Sequence, residues 1–277
     1  MIFETYKPDG QIGKHIESLI YFKDLMPDHS LERVIPTGHV FIIFELDGIK
    51  RKTYDNNTLQ QKDEFSDVWV SGVHKNYITI SAHEDSEMFV IQFKPYGAYP
   101  YFQIPLDKIS NCIFHAKTLF GKEILELRTQ LLDTKDAAHK FGLAQAWLES
   151  IYDCDKHPPE VFLKTLERIE VEKSATNFDK LFADYPFTRK HLISQFKKYI
   201  GITPKYYQRI IKFNDILVKI QKKESLSWAQ LTYDYGFSDQ PHFIKTFKHF
   251  SGFSPKEFIY EGLSDGEPNF FPLDKQG

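Results

Sequence analysis

A chain of 277 residues, 42% hydrophobic and 26% charged, has the composition of a folded globular protein of about two modest domains, which excludes the collagen-like, coiled-coil and disordered classes. No run approaches the ~18 to 20 uninterrupted apolar residues that cross a bilayer, and the opening MIFETYKPDG lacks the basic-then-apolar order of a secretory leader, so a cytoplasmic protein without a membrane partner is expected. The net charge of -3 conceals an asymmetry, because residues 159–262 hold 17 Lys and Arg against 12 Asp and Glu while the rest of the chain holds 18 against 26.

The first hundred residues read as β-structure, in short runs rich in Val, Ile and aromatics separated by turn-forming clusters. Residues 40–46 (VFIIFEL), 67–73 (DVWVSGV), 77–81 (YITIS) and 87–93 (EMFVIQF) are the clearest strands. Their spacing predicts a barrel or sandwich. From about Thr118 the period changes: Phe120, Ile124, Leu127 and Leu131 recur at helical spacing, and Ala144, Trp147, Leu148 and Ile151 make a second stripe. The first stripe has two readings, packing onto the sheet or a dimer seam. Residues 153–159 (DCDKHPP) break the pattern with consecutive prolines and predict the domain boundary.

The C-terminal third repeats itself. A shift of 51 residues sets 191–207 (HLISQFKKYIGITPKYY) against 242–258 (HFIKTFKHFSGFSPKEF), with 7 of 17 positions identical: His191/His242, Ile193/Ile244, Phe196/Phe247, Lys197/Lys248, Gly201/Gly252, Pro204/Pro255 and Lys205/Lys256. Two copies are too few for a solenoid, so the repeat is a duplicated supersecondary unit. Leu192, Phe196 and Tyr199, and Phe243, Phe247 and Phe250, each line one face of a helix that ends at the glycine, and the proline opens the next helix. A short amphipathic segment precedes each copy, residues 177–183 and 227–233, across a tight turn. Short helix, turn and longer helix make a helix-turn-helix.

With the apolar stripe inward, the first long helix presents Arg189, Lys190, Ile193, Ser194 and Lys197 outward, and the second presents Gln240, Pro241, Ile244, Lys245 and Lys248. In a major groove, Lys reads guanine acceptors, Gln pairs with adenine and apolar groups touch the thymine methyl; the alternative is an ordinary solvated helix face. Finding the device twice, in the only basic part of the chain, favours DNA. A helix over the 17 residues 205–221 spans about 25 Å. That length is compatible with recognition helices about 34 Å apart, in two successive grooves.

Residues 159–262 resemble the DNA-binding domain of the arabinose-regulator (AraC-type) transcription factor family. The tract Gly236-Phe237-Ser238-Asp239-Gln240-Pro241-His242-Phe243, followed by Phe247-Lys248 and Gly252-Phe253-Ser254-Pro255, is similar to the family signature at its second unit. Phe196-Lys197-Lys198 and Gly201-Ile202-Thr203-Pro204 are similar to the first. Arg209 is as expected in the linker helix, and Phe213 stands where many members have alanine. Val34-Ile35-Pro36-Thr37-Gly38, Phe93-Lys94-Pro95-Tyr96-Gly97 and Ile104-Pro105-Leu106 resemble the cupin-like sensor portion of one branch.

The resemblance implies an α+β chain: a cupin-like β-barrel with helices over residues 1–157, an all-α domain of two helix-turn-helix units joined by a linker helix over 158–262, and a polar tail over 263–277. It implies a sequence-specific, non-enzymatic regulator without a cofactor. Duplex DNA is the implied partner, and a small-molecule effector, RNA polymerase and a second copy of the chain are further candidates. Base contacts fall on Lys190, Ile193, Ser194, Gln240, Pro241, Ile244 and Lys245, and phosphate contacts on Arg189, Lys197 and Lys248. Trp69, Tyr96, Tyr99, Tyr101 and Phe102 are candidates for an effector pocket, with ordinary core packing as the competing role.

Two other classes compete. A cupin-like barrel can be a metalloenzyme, for which His39, His74 and His83 would have to assemble in space, since the chain has no His-x-His pair. Cys112 and Cys154 are too few for a disulfide scaffold or a cysteine zinc site, and no nucleophile elbow, phosphate loop or dinucleotide glycine pattern is present. In the third reading the outward lysines bind an acidic protein.

Overall fold

The computed structural model describes residues 1–222, 227–263 and 269–274. In chain order the N-terminal region comprises β1 (Ile2–Tyr6), a turn of helix α1 (Gly10–Gly13), β2 (Ile16–Leu25), β3 (Leu31–Val34), β4 (Phe41–Glu45), β5 (Arg51–Tyr54), β6 (Gln61–Phe65), β7 (Val68–Ser71), β8 (Ile78–Ser81) and β9 (Ser86–Phe93). There follow α2 (Tyr99–Phe102), β10 (Ile113–His115), α3 (Lys117–Phe120), α4 (Glu123–Asp133) and α5 (Ala137–Ile151). The strands pair antiparallel in two sheets, one ordered β1-β2-β9-β4-β7-β10 and the other containing β3-β8-β5-β6. Among the described residues the sheets remain two and do not close into the expected barrel.

Alternation sorts the side chains of the six-stranded sheet. On β4, Ile42 and Phe44 join the large core with Ile124, Leu127 and Leu131 of α4, while Ile43 turns to the other face and packs with Phe65 and Trp69. The α4 stripe is buried within its own chain, and Phe120 packs against Phe102 and Trp147 at 5.1 and 5.3 Å. This overturns the dimer-seam reading of that stripe. Ile124, Leu127 and Leu131 are taken up by packing within their own chain and are not available to a second copy.

Residues 153–159 contain a one-turn 3-10 helix, Cys154–Lys156, after which α6 (Glu160–Glu172) begins the helical domain. There follow α7 (Phe178–Asp184), α8 (Arg189–Tyr199), α9 (Pro204–Gln221), α10 (Trp228–Asp234), α11 (Gln240–Ser251) and α12 (Pro255–Tyr260). The repeat is reproduced in the caps. Thr188 and Asp239 accept hydrogen bonds from the amides of His191 and His242, and Thr203 and Ser254 do the same for Tyr206 and Glu257. Pro204 and Pro255 sit in first turns where no amide hydrogen is needed. Gly201 (φ +94°) and Gly252 (φ +82°) adopt the left-handed conformation that ends α8 and α11.

One continuous core runs through both halves, from Ile42, Phe93 and Phe102 to Phe162, Phe196, Phe247 and Phe258. Tyr99 meets Tyr199 edge-on at 5.1 Å across the junction. In the stretch read as a polar tail the structure differs: Phe270–Pro272 is a strand, β11, antiparallel to β3 at the edge of the second sheet.

Candidate nucleic-acid interface and domain junction

In α8 the side chains of Leu192, Phe196 and Tyr199 are buried, which turns Arg189, Lys190, Ser194 and Lys197 to solvent and leaves Ile193 half-buried. In α11, Phe243, Phe247 and Phe250 are buried, and Gln240, Pro241, Ile244, Lys245 and Lys248 are exposed. The exposed residues cluster toward the N-terminal turns, where free backbone amides favour anionic groups. The Arg189 guanidinium lies 4.5 Å from the centre of the Phe182 ring, a contact that restrains it beside the start of α8.

At matching helix positions the two units share Ile193 with Ile244 and Lys197 with Lys248, while Arg189, Lys190 and Ser194 correspond to Gln240, Pro241 and Lys245. Ile244 is 40% exposed among polar neighbours, which suits contact with a base methyl. Beside the two units, exposed aromatics that the sequence did not single out include Phe187 (55%), whose ring lies 4.7 Å from His191 beside the start of α8, and Tyr233 (81%) on α10. Their only sequence signal is that neither belongs to the buried stripe.

The linker helix α9 joins the units and is held from both sides. Phe213 packs between Phe247 and Phe250 at 5.4 and 5.1 Å, so its bulk fills the core of the second unit. Lys212 sits 3.8 Å from the Phe237 ring, and burial, with Arg209 nearby, brings its ammonium down to about 8. Toward the N-terminal domain, the Tyr206 hydroxyl is hydrogen-bonded to the Lys75 carbonyl at 2.8 Å and to His249 at 2.7 Å, and Asn214 donates to the Pro36 carbonyl at 3.0 Å. A side chain on Gly38 would meet the Tyr207 ring at 2.9 Å.

A cleft of about 700 Å³ opens at this junction. Glu17, Gln92, Lys94 and Tyr96 line it from the N-terminal domain, and Glu170 and Tyr207 from the helical one. The buried Tyr207 donates to Glu170 at 2.6 Å, and burial raises the Glu170 carboxyl above its ordinary range. Of the five aromatic effector candidates, Tyr96 alone lines this cleft. Trp69 donates to Glu45 at 2.8 Å from the separate small cluster. Tyr99 packs on Tyr199, Tyr101 on His15 and Phe93, and Phe102 on Phe93 and Phe120. The five are not brought together.

His39, His74 and His83 are also apart, hydrogen-bonded respectively to the Phe93 carbonyl (2.8 Å), Ser71 (3.1 Å) and Ser81 (2.7 Å). Among the described residues no group of three or more His, Cys, Asp or Glu is placed to hold a metal ion. Nor is any described helix long and apolar enough to cross a membrane.

Residues 183–260 match the family model described as a helix-turn-helix domain, and residues 4–114 match a domain family of unknown function. The chain is 27% identical over 139 residues to the HTH-type transcriptional regulator MtrA of Neisseria gonorrhoeae, an alignment spanning 50% of this chain and 42% of that relative. The chain therefore spans less than half the length of the curated relative it matches. Among solved structures it is similar to ToxT of Vibrio cholerae O395, at 12% identity and a TM-score of 0.44, covering 96% of this chain and 99% of that one. It is also similar to the AraC-like transcriptional activator CuxR, at 12% identity and a TM-score of 0.23, covering 78% and 87%.

Proposed function

With residues 183–260 an AraC-type helix-turn-helix domain, we propose that the whole chain is a sequence-specific DNA-binding transcriptional regulator that places α8 and α11 in two successive major grooves. The observation that carries this reading is the duplicated unit itself: two recognition helices with equivalent caps, equivalent buried stripes, and exposed faces that each carry two lysines. Lys190, Ile193, Ser194, Gln240, Pro241, Ile244 and Lys245 read base edges, and Arg189, Lys197 and Lys248 hold phosphates.

A small-molecule effector acts at the junction cleft and not through the five-aromatic set. A ligand between Lys94 or Gln92 on one side and Glu170 on the other would touch both domains, and so have different affinity for different settings of the chain. The chemistry of the lining supports a polar ligand.

Selection from a random duplex pool by the full chain, followed by footprinting, tests the DNA reading. Two protected major-groove patches about 10 to 10.5 base pairs apart are expected. No enrichment over random duplex would refute it, and retention on any acidic polymer alike would leave the protein-interaction reading in its place.

A further inference from the structure

The segment at the far end of the described chain belongs to two domains at once. β11 pairs with β3 through Phe270↔Val34, Phe271↔Arg33 and Pro272↔Glu32. The ladder extends past both ends of the strand, where the Ile35 amide donates to the Asn269 carbonyl (3.1 Å) and the Leu273 amide to the Leu31 carbonyl (2.9 Å). Beyond it, the Asp274 carboxylate accepts from the Ser30 hydroxyl and from the amides of Ser30 (3.0 Å) and Leu31 (2.9 Å). These bonds set residues 269–274 into the N-terminal sheet. The Phe271 ring, fully buried, points the other way and meets Phe258 of α12 edge-on at 4.8 Å. Phe258 in turn packs at 5.5 Å against Phe247, on the buried stripe of α11.

A proline inside a strand normally argues against pairing, yet here its position is permissive. Bonds at 35/269 and 31/273 place Pro272 at a position that does not exchange hydrogen bonds with β3, so its missing N–H faces the open edge. The same proline discourages a further strand from adding there.

A second grip lies beside the first. Arg33 of β3 stacks its guanidinium 4.3 Å from the Phe253 ring and 4.9 Å from Tyr77, against the turn that ends α11. Both grips hold the second unit from behind: Gln240, Pro241, Ile244 and Lys245 remain exposed.

We propose that residues 269–274 form a strap that presets the second recognition helix by fastening its unit to the N-terminal sheet, so that DNA engaging both units depends on the strap and DNA engaging the first unit alone does not. This rests on the DNA-binding reading above. Engaging the second groove is an intramolecular event once the first is occupied, and its cost includes orienting a unit otherwise tied through α9 and the Arg33 contact. The strap removes part of that orientational freedom beforehand. Because it leaves the reading face uncovered, it favours binding instead of blocking it.

The test compares the full chain with a chain ending at residue 268 and with Asp274→Ala, which removes the carboxylate grip while keeping Phe271. A third protein carries Val34→Cys and Phe270→Cys, with Cys112→Ser and Cys154→Ser; this cross-strand pair lies at a position suited to a disulfide. The probes are a duplex selected by the full chain and a shortened duplex retaining only the footprint of the first unit. Amide exchange at Leu31 and Ile35 reports whether the strap is open.

The expected result is faster exchange in both strap variants and a loss on the order of tenfold on the two-unit duplex for the shortened chain. A smaller loss is expected for Asp274→Ala, no change on the short duplex, and full affinity for the oxidised dicysteine chain. Unchanged or tighter binding to the two-unit duplex with the strap open, or equal losses on both duplexes, overturns the proposal. If the shortened chain does not fold, Asp274→Ala and the dicysteine chain decide it. Failure of the full chain to select any duplex is a different outcome, which overturns the DNA-binding reading itself.

Discussion

Gly252 lies against Arg33 so closely that a methyl group on its α-carbon would stand 2.7 Å from the guanidinium. Its counterpart in the first unit, Gly201, has the same relationship to the N-terminal domain through a different partner, the Leu106 carbonyl at 2.9 Å. Each recognition helix thus ends at a glycine that serves two purposes, a left-handed turn and a point of contact with the other domain.

Gly201→Ala and Gly252→Ala should therefore cost more than the left-handed conformation alone. Gly48 provides the reference, since it has φ +75° with nothing within 4 Å of the added methyl. Chemical denaturation should show Gly48→Ala losing about 1 kcal/mol and both repeat glycines losing more, about 2 to 3 kcal/mol. Gly201 should lose most, because a backbone carbonyl yields less than the end of an arginine. Equal losses at all three positions would remove the docking role.

Lys190→Ala and Lys245→Ala should each weaken the selected site by about 1 to 3 kcal/mol and relax discrimination in one half-site only. Arg189→Ala, Lys197→Ala and Lys248→Ala should weaken specific and random duplex alike and flatten the dependence on salt between 50 and 200 mM, because each phosphate contact releases counterions. Titrations on matched and scrambled duplexes at several salt concentrations separate the two groups.

Acid should destabilise the fold partly through His15. Its buried ring faces His157 at 3.2 Å and Tyr152 at 3.4 Å. Burial first, then His157, Lys94 and Lys14, lower its pKa from 6.5 to about 4. Between those values the unfolded chain binds the proton and the folded chain does not. This contribution is therefore complete above pH 6.5 and is lost as pH falls toward 4. His74, lowered to about 4 by burial, acts in the same direction. Glu45 opposes both: burial raises it to about 7 despite its bond to Arg51, so its contribution is lost as pH rises through 7. Comparing wild type with His15→Gln cancels the Glu45 and His74 contributions. Unfolding free energies from pH 4 to 7 should rise less steeply in the variant; parallel curves would show that His15 does not titrate in this range.

Removing residues 1–155 should leave a helical domain that is less stable than the full chain. It would expose Tyr199 and Tyr207, which now pack against Tyr99 and Gly38, and would take β3 away from β11. Calorimetry of residues 156–277 should show a melting temperature lowered by several degrees or more, since 1 kcal/mol corresponds to about 2 to 8 °C across small and medium domains. An unchanged value would mean that the junction contributes nothing to stability.

The helical domain was legible because it is written twice. Helix-ending glycines, first-turn prolines and the Phe196/Phe247 stripes carry their meaning locally, and the boundaries of α8 to α12 follow from them. The N-terminal half was only partly legible. Four strand segments stand out as apolar runs, but β2, whose Ile16, Leu19 and Tyr21 are buried on one face, is interrupted by charged residues that obscure its alternation. Aromatic content cannot say which face a ring occupies, so Trp69 and Tyr99 looked alike and lie in different cores. The cleft, lined from both domains, and the His15–His157 pair depend on contacts between residues far apart in the chain. β11 was hidden most completely, being three residues with a proline whose partner lies at the other end of the chain.

That last pairing sets the order in which the molecule can be finished. Ser30 and Asp274 are 244 residues apart, so a ribosome adding about 5 to 20 residues per second needs roughly 12 to 50 s between making one and the other. Once β8 has been made, β3 can pair with it on one side while its other side still lacks β11. The nascent chain therefore carries an open β-edge at residues 31–34 until Asp274 has been made, and a chaperone that shields such edges would find its target there.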